Sequence, residues 1–424
     1  MFYVEKVEDD NHIYIRDTSD NVLECYSLEQ LKQIFISSNV KIEGFRGISA
    51  VEVRCFQLRN KDTLVGEFAI SVNLDYSDFY STDNLVPLDF RGSIKDWIKS
   101  RQVFTCARDI EEFFESLGVN SDIDFIRIFH CISLHDTFWV SEYRGTLTWL
   151  NVSPYHNSYS KFVSHYSLDG IIGDKDFNYL SPDVATLGSF PSTWKYKGVD
   201  DIEYIKGNSK YTLGGRNSGN EPYSEYFASV VASFLGFDSV KYRIRNYTRG
   251  DGKKDVVTVC KSFTSSSVGS VTAHVLGLNS YKDVIEYCKS NLDKSSLNTI
   301  LNMLFLDCIL LNTDRHFSNI EFLYSTETLE VQRIAPIFDN NWSLLPRFLE
   351  GVDDFIRGDY TARTGETFES IFSLVSEYKS FKNLLIKLKS FKFTNIRPCP
   401  ISTDRLRFLN NLLQLQVSYY LEKC

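Results

Sequence analysis

The stretch Asn312-Thr313-Asp314-Arg315-His316-Phe317-Ser318-Asn319 is followed by Ile334-Ala335-Pro336-Ile337-Phe338-Asp339. It sets an Asp, an Asn five positions on (314 to 319) and a second Asp twenty-five positions on (314 to 339). Phosphoryl transfer from a nucleotide needs these parts. One carboxylate orients the attacking hydroxyl and takes its proton, while an amide oxygen and a second carboxylate hold magnesium against the charge of the phosphates. Asp314 is the candidate base, and Asn319 and Asp339 are the candidate metal ligands. Any one of the three is explained by turn formation, because Asp and Asn side chains bond the local backbone. Turn formation does not explain the three spacings together.

The flanking elements are those needed to hold such groups. Leu297 to Leu311 is an apolar run with helical periodicity (Leu297, Ile300, Leu301, Leu304, Phe305, Cys308, Ile309) that stops just before Asp314. Ile320 to Tyr324 reads as a buried strand and Val331 to Phe338 as its hairpin partner. The three polar groups are thus expected on a loop and at a strand end between rigid flanks.

A second set of signals begins near residue 181. Ser181 to Lys195 is expected to form a strand, a tight loop around Gly188-Ser189-Phe190-Pro191-Ser192 and a second strand, with Gly188 and Ser189 offering backbone N–H groups to phosphates. An ordinary hairpin would have the same sequence. Ile202 to Lys206 is a strand ending in a lysine, which is either a solvated strand end or the lysine that pairs with nucleotide phosphates. Gly207 to Asn220 is polar and glycine-rich. Glu221 to Leu235 reads as a helix, with Pro222 in its first turn and Gly236 after its end. Glu225 near its start is either a carboxylate favoured by the helix dipole or the partner of Lys206. Val240 to Tyr247 and Asp255 to Phe263 form a predicted hairpin around Arg249-Gly250-Asp251-Gly252. The order strand, loop, strand with Lys, helix with Glu, hairpin, helix, Asp/Asn loop, second Asp is that of a two-lobed kinase.

Composition narrows the alternatives. With 424 residues the chain is expected to hold two or three domains, and 43% hydrophobic with 14% aromatic residues is ample for sizeable cores. No apolar run reaches the roughly 18 residues of a membrane span. Met1 to Lys6 has neither the basic stretch nor the apolar run of a secretory leader. The nine cysteines are scattered without a Cys-x-x-Cys pair, so zinc and a disulfide framework are disfavoured and a cytoplasmic protein with reduced thiols is expected. A net charge of −9 argues against direct nucleic-acid binding.

Upstream, residues 1 to about 75 read as β-rich, with runs at Phe2-Val4, His12-Ile15, Val40-Ile42, Val51-Phe56 and Leu64-Val72 and a short helix at Leu28 to Ser37. Helices follow at Ser93 to Ser100 and Ala107 to Leu117, and from Ile126 to Tyr166 the chain is expected to be strand and loop. The final helices, near Thr367 to Phe391 and Thr403 to Lys423, carry strong apolar faces. The expected division is a β-rich accessory region over 1–125, an N-lobe-like region with the nucleotide loop and lysine strand over 126–265, and a helical C-lobe with the catalytic loop over 266–424.

The segments around Asp314, Asp339 and Tyr204-Ile205-Lys206-Gly207, with Glu221-Pro222-Tyr223-Ser224-Glu225, resemble the HipA-like serine/threonine kinases of bacteria and their mobile elements. Ile132 to Val140 and Trp97-Ile98-Lys99-Ser100-Arg101 resemble segments found ahead of the core in part of that family. The resemblance spans roughly residues 95 to 400. It implies an α+β, two-lobed protein-kinase-like core using ATP and Mg²⁺ on a protein Ser/Thr hydroxyl, and a small helix-turn-helix antitoxin as partner, with no membrane involved. It assigns Asp314 as base, Asn319 and Asp339 to magnesium, Lys206 to the nucleotide phosphates and Glu225 as the partner of Lys206. His316 is read as loop scaffold. Family members regulated by autophosphorylation make Thr186, Ser189, Ser192 and Thr193 candidates. The chain departs from the family in carrying Ser192 where many members have a lysine, and in an uncharged segment at Ser262 and Thr264 to Ser267. A catalytically silent pseudokinase acting as an interaction module, and a kinase for a lipid or small molecule, are the alternative readings.

Overall fold

In this computed structural model every residue is described except 1, 7–11, 18–21, 28–39, 44–50, 72–75, 77–78, 82–84, 104–109, 144, 172–179, 187, 189, 209–218 and 349–359. The helix expected at Leu28 to Ser37 lies outside the described residues. The chain is α+β and divides into two compact units, one of residues 1–104, 109–163 and 175–187, the other of 105–108, 164–174 and 188–424.

The first unit is built on alternation. Strands β1 (Phe2–Lys6), β2 (His12–Asp17), β3 (Val22–Ser27), β4 (Val40–Glu43), β5 (Val51–Asn60), β6 (Thr63–Ser71) and β7 (Tyr80–Ser81) form one sheet in the order β3-β2-β1-β4-β5-β6-β7. The pairing of β1 with β4 is parallel and the rest is antiparallel. Phe56 and Phe68 lie opposite each other in the β5–β6 register and bury their rings 5.6 Å apart, a cross-strand aromatic pair. Helices α1 (Ile94–Ser100), α2 (Ile110–Leu117) and α3 (Asp122–Phe129) follow, then β8 (Phe138–Glu142) on β5 and α4 (Trp149–Val152); α5 (Lys161–Asp169) comes next in the chain, its residues from Ser164 on belonging to the second unit. The stretch from Ile126 to Tyr166, expected as strand and loop, is mostly that, with β8 at its middle, but it also holds the end of α3, all of α4 and the start of α5. Its helices are short, and aromatic and β-branched residues such as Phe125, Ile126, Phe162 and Val163 masked the helical period. Trp97–Arg101 and Ile132–Val140 converge: buried Arg101 stacks on Trp97 at 4.5 Å and ion-pairs with buried Asp136 at 2.5 Å.

The second unit opens with an antiparallel sheet of β9 (Ser192–Gly198), β10 (Asp201–Lys206), β11 (Arg243–Thr248) and β12 (Lys254–Lys261), in the order β11-β12-β10-β9. Helix α6 (Glu221–Leu235) packs on β12 and β11. Pro222 starts it, and Gly236 ends it with φ +81°, a left-handed conformation that glycine takes without steric cost. A three-stranded sheet follows from β13 (Val268–Thr272), β14 (Glu321–Ser325) and β15 (Val331–Ile334). Around it lie α7 (Tyr281–Asn291), α8 (Lys294–Leu310), α9 (Phe368–Ser376), α10 (Lys382–Leu388) and α11 (Thr403–Leu421). From Ile300 to Leu310 all residues of α8 but Asn302 are buried, the signature of a central helix. Phe305 stacks on Phe381 at 4.4 Å, and Leu409, Leu412, Leu413, Val417 and Tyr420 of α11 complete this core. Among the described residues no helix is long and apolar enough to cross a membrane.

Candidate active site

Three polar groups meet where β10 ends. Lys206, the last residue of that strand, places its Nζ 2.5 Å from Asp339 Oδ1 and 3.6 Å from Glu225 Oε2. Glu225 sits in the second turn of α6 and is buried. Thr258, opposite Lys206 in the β10–β12 register, donates its hydroxyl to the same Glu225 oxygen at 3.5 Å. Burial works against the charge on Lys206, but the two carboxylates outweigh it and raise its pKa. Burial raises Glu225, an effect that Lys206 only partly offsets. Burial also pushes Asp339 upward, yet Lys206, Arg315 and His316 together hold it below the usual carboxylate range.

Asp339 has φ +52°, an uncommon conformation that Asp tolerates better than most residues. The segment before it is fixed by the bridge between Ser239 and Ile337, with Val240 N–H donating to Ile337 C=O at 2.9 Å. That pairing brings in Tyr242, whose buried hydroxyl accepts the Asp339 N–H at 3.4 Å and hydrogen-bonds the Glu225 carboxyl. Tyr242 thus joins the two acids that share Lys206. If the site holds Mg-ATP, as the sequence order leads one to expect, Tyr242→Phe should leave the fold intact and weaken that binding about tenfold, the value of one hydrogen bond to a charged group. Titration calorimetry reads this directly, and unchanged affinity would show that the hydroxyl orders neither acid.

The loop carrying Asp314 begins where α8 stops at Leu311, in the left-handed region with φ +53°. Arg315, 1% exposed, then turns inward rather than toward a ligand. Its Nε and Nη2 bind Asp307 of α8 at 2.8 and 3.1 Å, and Nη2 also donates to Asn340 Oδ1 at 2.8 Å. Its Nη1 donates to Asn319 C=O at 3.1 Å and to Phe338 C=O at 2.8 Å. The five guanidinium donors are all used, and one nitrogen ties the loop at Asn319 to the residue preceding Asp339. Buried Asn312 completes the support, donating to Asp307 Oδ1 at 2.9 Å and accepting the Asp314 N–H at 3.3 Å.

Asn319 ends a 3₁₀ turn, Phe317–Asn319, and gives its Nδ2 to Asp314 C=O at 3.1 Å. Its amide nitrogen is spent on the loop, which leaves the amide oxygen as the acceptor to offer an ion. An amide oxygen with the Asp339 carboxylate is a hard donor set that fits Mg²⁺, an ion that takes its remaining ligands from phosphate and water. Among the described residues no group of three or more His, Cys, Asp or Glu forms a metal cage. Half-buried His316 has its pKa lowered by burial, against the pull of Asp314 and Asp339, so its imidazole is neutral near pH 7.

The glycine loop differs from expectation. In place of a first strand there is a 3₁₀ turn, Pro182–Val184, capped by the Ser181 hydroxyl on Asp183 N–H; the hydroxyl cap and Pro182 outweigh the short apolar run. Gly188 is exposed, and Ser189 lies outside the described residues. Phe190 is buried with its ring 5.7 Å from Lys206 Nζ. Pro191 C=O accepts the Gly207 N–H at 2.7 Å, and a Cβ on Gly207 would meet that oxygen at 3.2 Å, so residue 207 is held small by this close approach. Thr186, Ser192 and Thr193 are buried.

The structure therefore brings Lys206, Glu225 and Asp339 together and clamps Asn319 and Asp314 to the same framework through Arg315. Sequence reasoning missed Tyr242, Asp307, Asn340 and Arg363, the last of which ion-pairs with Asp314. Asp307 had a signal, a lone acid within the apolar run Leu304 to Leu310. The others are reached only through long-range contact.

No protein-family model matches the sequence, and no curated protein matches it. Solved structures do. The chain is similar to a Helicobacter pylori proinflammatory kinase, CtkA, at 17% identity over 55% of this chain and 93% of that one, with a TM-score of 0.37. It is also similar to a chain of the Shewanella oneidensis MR-1 HipA–HipB toxin–antitoxin complex with operator DNA, at 12% identity over 87% of this chain and 97% of that one, with a TM-score of 0.45.

Proposed function

We propose that this chain is an ATP- and Mg²⁺-dependent kinase of the HipA-like kind, transferring the terminal phosphoryl group to a serine or threonine hydroxyl of a protein. The supporting observation is the meeting of Lys206 with both Glu225 and Asp339, the latter 133 residues away in sequence. Three residues that the sequence order assigns to separate parts of a nucleotide site converge in space, and stability does not require it. Buried ion clusters of this kind are weak contributors to folding and are common where a site has been built.

In this reading Glu225 and Tyr242 hold Lys206 toward the nucleotide phosphates. Asp339 and Asn319 hold magnesium, which neutralises charge on the transferring group when bound. Asp314 accepts the proton of the attacking hydroxyl. The bond from acceptor oxygen to the terminal phosphorus forms as the bond to the bridging oxygen breaks, and that electron pair leaves with ADP. Gly188, which is exposed, and its neighbour Ser189 are the proposed backbone contacts for phosphate. A net charge of −9 favours a protein acceptor over an anionic lipid surface. The family resemblance extends the proposal to a small helix-turn-helix antitoxin as partner.

The test is intact-mass analysis of protein shown to be unphosphorylated, incubated with Mg-ATP beside Asp339→Ala. Phosphate gained by the wild type alone is the expected result. Binding of Mg-ATP with no transfer to itself or to lysate proteins would mark a pseudokinase, and absence of binding as well would end the proposal.

A further inference from the structure

Arg363 approaches Asp314 from a part of the chain to which the sequence assigns no chemistry. Its Nη1 lies 2.5 Å from Asp314 Oδ1. A surface ion pair would ordinarily deserve little weight, but here the arginine is delivered by a built turn. Thr361 bridges Thr367, Ala362 N–H donates to Glu366 C=O at 3.0 Å, and Gly365 N–H donates to Ala362 C=O at 2.9 Å. Gly365 has φ +85°, so the turn needs glycine there. Ala362 is buried, and Thr367 caps α9 by accepting the Ser370 N–H at 3.2 Å. Tyr281 fastens the turn to the loop: its hydroxyl donates to Arg315 C=O at 2.9 Å and hydrogen-bonds the Thr364 side chain.

We propose that Arg363 is a positioning residue for the base, holding Asp314 Oδ1 so that Oδ2 faces the acceptor hydroxyl. This rests on the kinase reading of the site. No described group bonds Oδ2, and the Asp314 side chain is 22% exposed, so the pair leaves one oxygen open to a hydroxyl. The guanidinium also sets a positive charge beside the carboxylate, easing its repulsion of an incoming phosphoryl group. The other charges bonded to the site do not fill that place. Lys206 is engaged by two carboxylates, and Arg315 has spent all five donors inward. Arg363 uses one donor on Asp314, and its side chain is 58% exposed.

The test compares Arg363→Ala and Arg363→Lys with the wild type. The readouts are phosphate transfer from Mg-ATP to the protein itself or to water, and Mg-ATP affinity. The expected result for Arg363→Ala is a kcat lower by on the order of 10²-fold, the cost of a misplaced reacting group. KM for Mg-ATP and the melting temperature should not change, the pattern of an interaction made in the transition state. Free guanidinium ion should restore part of the rate in Arg363→Ala, and Arg363→Lys should fall between the two. A rate that stays equal or rises would make the pair a surface contact or a latch and overturn the inference, as would kcat falling together with Mg-ATP affinity and melting temperature. If wild-type protein neither transfers nor binds, the kinase reading itself fails and takes the inference with it. Active wild type with an active Arg363→Ala removes the inference alone.

Discussion

Asp314→Asn should lower phosphoryl transfer by about 10²–10⁴-fold, the usual worth of a positioned general base, while leaving fold and Mg-ATP affinity in place. The substitution is close to isosteric. The backbone bonds of residue 314, its N–H to Asn312 Oδ1 and its C=O from Asn319 Nδ2, do not depend on its side chain. The asparagine Oδ1 can still accept from Arg363, so the loop keeps its shape. What disappears is the ability to take a proton, since an amide oxygen is not a useful base at neutral pH. The measurement is single-turnover transfer from Mg-ATP, beside binding of Mg-ATP by calorimetry. Full transfer by the mutant would remove Asp314 from the mechanism, whereas loss of binding would mean the residue is structural. Asp314→Ala should differ in a telling way: it also releases Arg363, so free guanidinium should not rescue it.

The parts of this site that could be read in the sequence are those encoded by local order. Lys206 closes a strand with an apolar face, Glu225 stands near the start of a helix, and Asp314 and Asn319 stand five positions apart between a buried helix and a buried strand. Each signal lies within about a dozen residues, the range over which periodicity and capping act. Strand β13 was not legible. Val268-Gly269-Ser270-Val271-Thr272 has a glycine and no clean alternation, and it forms because the buried edge of β14 needs a hydrogen-bonding partner. Helix α8 was legible as a helix, but its Asp307 was not legible as an anchor. Nothing near residue 307 records that a guanidinium eight positions later will fold back onto it. Tyr242 and Arg363 reach the site through pairings 97 and 49 residues long, a separation at which sequence spacing carries no geometric information.

The Arg315–Asp307 pair gives the largest expected effect on stability. Arg315→Leu should cost about 3–5 kcal/mol, the penalty for leaving one charge of a buried pair without its partner, from a total that is typically about 5–15 kcal/mol. Asp307 is 2% exposed, and after the substitution Asn312 Nδ2 would be the remaining side-chain donor to it. Asp307→Leu should cost a similar amount for the opposite reason, burying a guanidinium that faces only neutral acceptors. The double substitution removes both charges and fills the space with apolar groups, so it should be less destabilised than the sum of the single changes. Phosphoryl transfer should stay lost in the double mutant all the same. The carbonyls of Asn319 and Phe338 would still lack the one nitrogen that joins them, and the loop and the segment carrying Asp339 would no longer be held in register. Even Arg315→Lys should fail here, because an ammonium has three donors on one point where five are spread over a plane. Urea unfolding midpoints beside transfer assays separate the two effects. A double mutant that recovers stability and transfer together would mean that the clamp serves the fold and not the site.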